Sequence, residues 1–124
     1  MAATVLQPEG WAAPRGYANG VVTSGRLVFV AGQIGWNAQC QFEHRDLVGQ
    51  TRQTLANIVA VLADAGTSLA NVAKVNIFTT DFSLLPRMNS VYSQYFTHRP
   101  AKTTVEISRL DRGALIEIEV VAGV

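Results

Sequence analysis

Apolar residues recur at helical spacing in one long segment of the chain and at alternate positions in several short ones, so the pattern predicts an α+β domain. Leu47, Thr51, Leu55, Ile58, Leu62 and Ala65 form one stripe of a helix that Asp46 can cap and Gly66 can stop. Val72 to Thr80 alternates as a strand, and Asp81 opens a second helical stretch in which Met88, Val91, Tyr92, Tyr95 and Phe96 recur. Pro86 falls in its first turn, where proline is tolerated. Pro100 blocks continuation and leads into two alternating strands, one from Arg99 to Ile107 and one from Leu115 to Val121. Upstream, Val21–Thr23 and Leu27–Ala31 flank Ser24-Gly25, a hairpin signal, and Gly32 follows the second strand directly. A Pro/Gly-rich arm from Gln7 to Gly16 precedes them and ends at Tyr17.

The order strand, strand, helix, strand, helix, strand, strand puts both helices on one face of a mixed sheet when crossovers are right-handed. The other face is left bare, and sheets of several copies packed together would cover it. The connection from Arg109 to Ala114 is too long for a tight hairpin, and direct pairing of the last two strands would set Glu106 about opposite Glu117. Another strand is therefore expected between them. Lys102, Glu106, Glu117 and Glu119 stand inside strands, where they must meet water, a partner subunit or a ligand.

Composition narrows the chemistry. The 124 residues fit one domain, 1–124, able to remove roughly two thirds of its unfolded surface from water. Only 15% are charged, which also favours self-association, and a net charge of +1 with scattered basic residues predicts no nucleic-acid partner. The single cysteine, Cys40, excludes an internal disulfide; with two histidines, His44 and His98, it offers no metal-ligand spacing. Glycine-rich phosphate loops and Gly-x-Ser-x-Gly elbows are absent. Met1-Ala2-Ala3-Thr4 lacks the regions of a signal peptide, and the apolar run from Ile58 to Ala63 is far short of a membrane span. These features predict a soluble cytoplasmic protein using acid, base and hydroxyl chemistry without metal or tightly held nucleotide.

Several segments carry a resemblance: Gly16-Tyr17, Val30-Ala31-Gly32-Gln33-Ile34, the stretch from Gln50 to Ile58, Asn89 with Tyr92 and Phe96, Pro100-Ala101-Lys102-Thr103-Thr104-Val105-Glu106, and Ile116-Glu117-Ile118-Glu119. In order and spacing the chain resembles the reactive intermediate deaminase family, Rid or YjgF-like, over nearly its whole length. The resemblance implies a chorismate-mutase-like fold: a mixed six-stranded sheet with two helices on one face, assembled as a homotrimer around a central barrel with clefts between subunits. It also implies hydrolysis of enamines and imines such as 2-aminoacrylate to keto acids and ammonia, without a cofactor.

Such hydrolysis needs an anchor for the substrate carboxylate and a group that manages protons on water. The family's anchor is an arginine on the strand after Pro-Ala, and Lys102 stands there; it is either a weaker anchor or a solvated strand-end lysine. Glu117 matches the acid that orients or activates water, while Glu106 and Glu119 are read as structural. Tyr17 matches a cleft tyrosine contributed by the adjoining subunit, with loop packing as its alternative. Gly32 matches a backbone contact to the carboxylate, Asn89 a polar residue near the cleft, Ala31 a frequent serine and Thr104 a frequent cysteine. Expected activity is deamination of an imine, the substrate being larger than 2-aminoacrylate and aminomuconate-like. The alternative is a trimeric carboxylate-binding module without turnover. An endoribonuclease or translation-inhibitor role, reported for some relatives, lacks a basic aromatic surface here.

Overall fold

The computed structural model describes residues 3–124; Met1 and Ala2, part of the start segment considered above, lie outside the described residues. Strands β1 (Ala3–Leu6), β2 (Gly20–Thr23) and β3 (Leu27–Ile34) precede helix α1 (Leu47–Asp64); β4 (Val72–Thr79), helix α2 (Leu85–Tyr95), β5 (Ala101–Glu106) and β6 (Ile116–Gly123) complete the chain. The α+β architecture and all six strands of the expected fold are present. They hydrogen bond as a four-stranded mixed sheet ordered β3-β6-β4-β5 and a separate two-stranded ladder, β1-β2, rather than one continuous sheet. Only β4 and β5 run parallel.

Local chemistry explains α1. The Asp46 carboxylate accepts from the Gly49 amide at 3.0 Å, a cap for the helix N-terminus. At the other end Gly66 takes φ +81°, and the Thr67 and Gly66 amides donate to the Leu62 and Ala63 carbonyls, closing the helix as glycine's left-handed freedom permits. Leu47, Thr51, Leu55, Ile58 and Leu62 are buried, as the stripe predicts. Asp81, by contrast, caps a short 3-10 turn at Phe82–Leu84 by accepting from the Ser83 amide, and α2 begins only at Leu85.

The hairpin expected around Ser24-Gly25 does not form. Gly25 turns the chain at φ +89°, but eight-residue β3 pairs with eight-residue β6, and four-residue β2 with four-residue β1. Matched lengths complete more ladder hydrogen bonds than a short hairpin would. The strand predicted between the last two is β4: Glu106 lies opposite Thr79 and Glu117 opposite Phe78, so the two acids never face each other.

Both helices share one face of the four-stranded sheet. Val30, Val75, Ile77, Ile116, Ile118 and Val120 point into a core closed by Leu55, Ile58, Leu62, Met88, Val91 and Phe96. The helix-free face presents Phe29, 74% exposed, together with Lys74, Asn76, Phe78, Glu117 and Glu119 in half-buried positions. Two polar residues of the stretch from Gln50 to Ile58 act as struts. Gln50 is buried, donates to the His44 carbonyl at 3.1 Å and accepts from the Leu115 amide at 2.8 Å. Asn57 donates to the carbonyls of Ile34 and Trp36, tying α1 to the end of β3. Among the described residues no helix is long and apolar enough to cross a membrane.

Candidate functional site

Strand alternation divides the candidate residues between two faces. Lys102 lies opposite Val75 and Thr104 opposite Ile77, both core residues, so these two side chains belong to the helix side at the sheet's outer strand. Beside them is a cleft of about 390 Å³, walled by Tyr92 and Phe96 from the α2 end, Asn89, and the cations Arg15, Arg99 and Lys102. Tyr92 and Phe96 stack with ring centroids 4.4 Å apart, and the Lys102 ammonium stands 4.4 Å from the Tyr92 ring centroid. That half-buried ammonium meets a π face, and burial lowers its pKa from the ordinary lysine value. Burial likewise pushes the Tyr92 phenol up, and its hydroxyl has no hydrogen-bond partner among the described residues.

Tyr17 follows the cleft-lining Gly16 but is not itself part of the lining. The Ala18 amide donates to the Pro100 carbonyl at 3.1 Å and Ala18 bridges Ala101, so the Tyr17 backbone runs beside the start of β5 in its own chain. Gly16 lines the cleft itself. His98 packs against Phe96 at 6.0 Å between ring centroids, and its Nε2 lies 2.9 Å from the Val72 carbonyl. A carbonyl only accepts, so that nitrogen carries the proton and faces the protein's interior strand.

Glu117, Gly32 and Ala31 lie on the other side. Glu117 pairs in register with Ile34 and Phe78, and its carboxylate occupies the space a side chain at Gly32 would need: a Cβ there would overlap Oε2 and stand 2.8 Å from Cδ. Glycine at this position is what lets the acid lie flat across β3. Ala31 borders a shallow hollow of about 360 Å³ with Phe29, Lys74, Asn76 and Glu119. Here the polar groups satisfy one another: Asn76 donates to Glu119 at 3.0 Å and Lys74 to Thr103 at 2.8 Å. Glu106 accepts from the Phe82 amide at 2.8 Å. Glu106 and Glu119 are thus engaged structurally, as the sequence reading expected.

One chain therefore brings Lys102 and Asn89 together in the cleft lining, with Thr104 on the same face of β5 and the Tyr17 backbone near its start, and separately sets Glu117 against Gly32, with Ala31 on the hollow beside them. Arg15, Arg99 and the Tyr92 wall were missed from sequence. Their signal was positional, since Arg15 directly precedes Gly16-Tyr17 and Arg99 directly precedes Pro100-Ala101-Lys102. Among the described residues no cluster of three or more His, Cys, Asp or Glu could hold a metal ion.

Comparison with known proteins gives the same outline. The family model for endoribonuclease L-PSP matches residues 9–124. A RutC family protein of Pyrococcus abyssi is 38% identical over 124 residues, covering 98% of both chains. The 2-iminobutanoate/2-iminopropanoate deaminase of Escherichia coli is 31% identical over 126 residues, again covering 98% of each. Among solved structures, a Rid family protein of Yersinia pestis, YyfB, superposes over 100% of both chains with a TM-score of 0.88 and 31% identity.

Proposed function

The chain belongs to the endoribonuclease L-PSP family, the RutC and Rid proteins, and from that premise we propose that it hydrolyses a reactive enamine or imine to a carbonyl compound and ammonia. The enamine tautomerises to the imine, water adds to the C=N carbon, and the C–N bond breaks as nitrogen leaves as ammonia and the oxygen becomes the carbonyl. A relative of 31% identity named for iminobutanoate and iminopropanoate deamination supports this class of reaction.

The observation that carries the reading is a half-buried Lys102 ammonium, in no ion pair among the described residues, facing an aromatic-walled cleft that none of their carboxylates lines. Lys102 would hold the substrate carboxylate there, with Asn89 in the same wall and Thr104 two residues along β5, and a Tyr17 phenol contributed by the adjoining subunit would add a further donor. Lysine grips a carboxylate less rigidly than the arginine expected at this position, which favours a substrate with more contacts than 2-aminoacrylate offers, such as an aminomuconate-like one.

The cleft's lining holds His98, whose Nε2 is engaged with the Val72 carbonyl, but no carboxylate to serve as the base that proton transfer needs. Glu117 supplies it if a second copy lays its helix-free face against β5, which would also cover Phe29. We therefore place the site between subunits of a homotrimer, with the Gly32 amide beside Glu117 as a further donor. The same lack of a carboxylate within one chain favours, as the second reading, a trimer that binds carboxylates without turnover. RNA cleavage draws no support from a net charge of +1.

The test is ammonia release from imines generated in place by an amino-acid oxidase, sampled across small, branched, aromatic and acidic side chains. Release above the buffer control is expected. Uniform failure across all classes removes the deaminase and leaves the binding module.

A further inference from the structure

The cleft beside Tyr92 is cationic on three sides. Arg15 comes from the N-terminal arm, Arg99 from the connection between α2 and β5, and Lys102 from β5, and no Asp or Glu lines the same space. Among the described residues none of the three cations is in an ion pair; the pair that does occur is Arg112 with Asp111. They are also ordered in depth: Lys102 is half-buried against the Tyr92 ring, while Arg15 and Arg99 are exposed at the mouth. Arg99 reaches back to the Pro14 carbonyl at 3.5 Å, which holds its guanidinium against the segment that carries Arg15. Three like charges converging on one hollow repel one another, and an anion relieves that repulsion.

One carboxylate answers only one of them. Even with Glu117 contributed by a neighbouring copy, three cations against one acid leave two positive charges, the number a dianion cancels. We infer that the cleft selects imino acids that carry a second carboxylate at their far end, Lys102 taking the carboxylate next to the reacting carbon and Arg15 with Arg99 the distal one. Planar guanidinium forks suit a carboxylate arriving at the mouth, where approach is least restricted. This inference deepens the deaminase reading and rests on it for the identity of the reacting group.

Binding separates the two. Calorimetric titration of the intact protein at low ionic strength uses glutarate, a dicarboxylate, against butyrate, a monocarboxylate. Glutarate is expected to bind about tenfold tighter or more, the worth of at least one added charge-assisted hydrogen bond, and the double variant Arg15→Ala/Arg99→Ala to bring the ratio near one. Both arginines are exposed, so the variant leaves the core intact, which its melting curve checks. A ratio near one in the unaltered protein, a ratio unchanged in the variant, or no binding of either acid overturns the inference. Because the titration needs no turnover, a protein that prefers glutarate yet releases no ammonia keeps the dicarboxylate preference and loses the deaminase.

Discussion

Lys102 and Glu117 lie on opposite faces of the same sheet. On β4 their register partners are Val75 and Phe78, three residues apart, and the two-residue period of a strand sends such neighbours to opposite sides. A substrate held at Lys102 cannot touch Glu117 of the same chain, so any chemistry that uses both needs two chains. The expectations below follow from that arrangement and from the surroundings of each group.

Arginine at position 102 should improve the anchor. Lys102→Arg is expected to raise kcat/KM for 2-aminoacrylate about tenfold, because a fork holds a carboxylate at two points where an ammonium holds it at one. Ammonia release from 2-aminoacrylate generated in place measures it. No gain would mean that the cleft differs from the family's in more than its anchor.

Anion binding should weaken in alkali sooner than for an ordinary lysine. Burial disfavours the charged form of Lys102, so its pKa in the free protein lies below 10.5, and the ammonium is lost as pH rises through that lowered value. Glutarate affinity is expected to hold through neutral pH and to begin falling below pH 10.5. In Lys102→Arg this decline should vanish. A profile identical in both proteins would exclude Lys102 as the anchor.

Gly32→Ala should separate activity from stability. Gly32 is not in the left-handed region, so its backbone accepts alanine, but the new methyl must displace the Glu117 carboxylate. A flexible side chain can swing aside; the expected result is at least a tenfold loss of imine hydrolysis, the typical scale of a positioned acid or base, with little change in melting temperature. Full activity would remove Glu117 from the mechanism.

Gly35→Ala should do the reverse. Its Cβ would stand 2.7 Å from the Gln50 Cβ and 2.8 Å from the Gln50 Cα, inside a buried and hydrogen-bonded turn of α1 that cannot yield cheaply. Overpacking of this kind costs about 1–3 kcal/mol, a drop in melting temperature of roughly 3–10 °C by calorimetry. An unchanged melting temperature would show that α1 shifts freely against β3.

What the sequence disclosed was mostly local. The α1 stripe, its Asp46 cap and its Gly66 stop act within a turn or two of the chain, and the repulsion of Glu106 by Glu117 was enough to place a strand between β5 and β6. Pairings set by distant segments stayed hidden. β1 is four residues long and meets β2 across the whole proline-rich arm, and that pairing is why the Ser24-Gly25 turn joins no ladder of its own. The site shows the same limit. Strand period alone put Lys102 and Thr104 on one face, but the face of Glu117 depends on its register against β4, and β6 meets irregularities between Val72 and Lys74 and between Val30 and Gln33. Arg99 stands directly before Pro100, a local signal, but its contact to Pro14, 85 positions away, is one no spacing rule reaches.

Mixing two crippled variants tests the shared site most directly. Lys102→Ala and Glu117→Gln should each be inactive as pure proteins in imine hydrolysis. When equal amounts are unfolded together and refolded into mixed oligomers, a site between chains regains both residues whenever a Glu117→Gln copy offers its Lys102 to the Glu117 of a Lys102→Ala copy. Random assembly restores about a quarter of the sites, so about a quarter of the unaltered activity is the predicted result. Activity no greater than the sum of the two variants alone would contradict a site built from two copies.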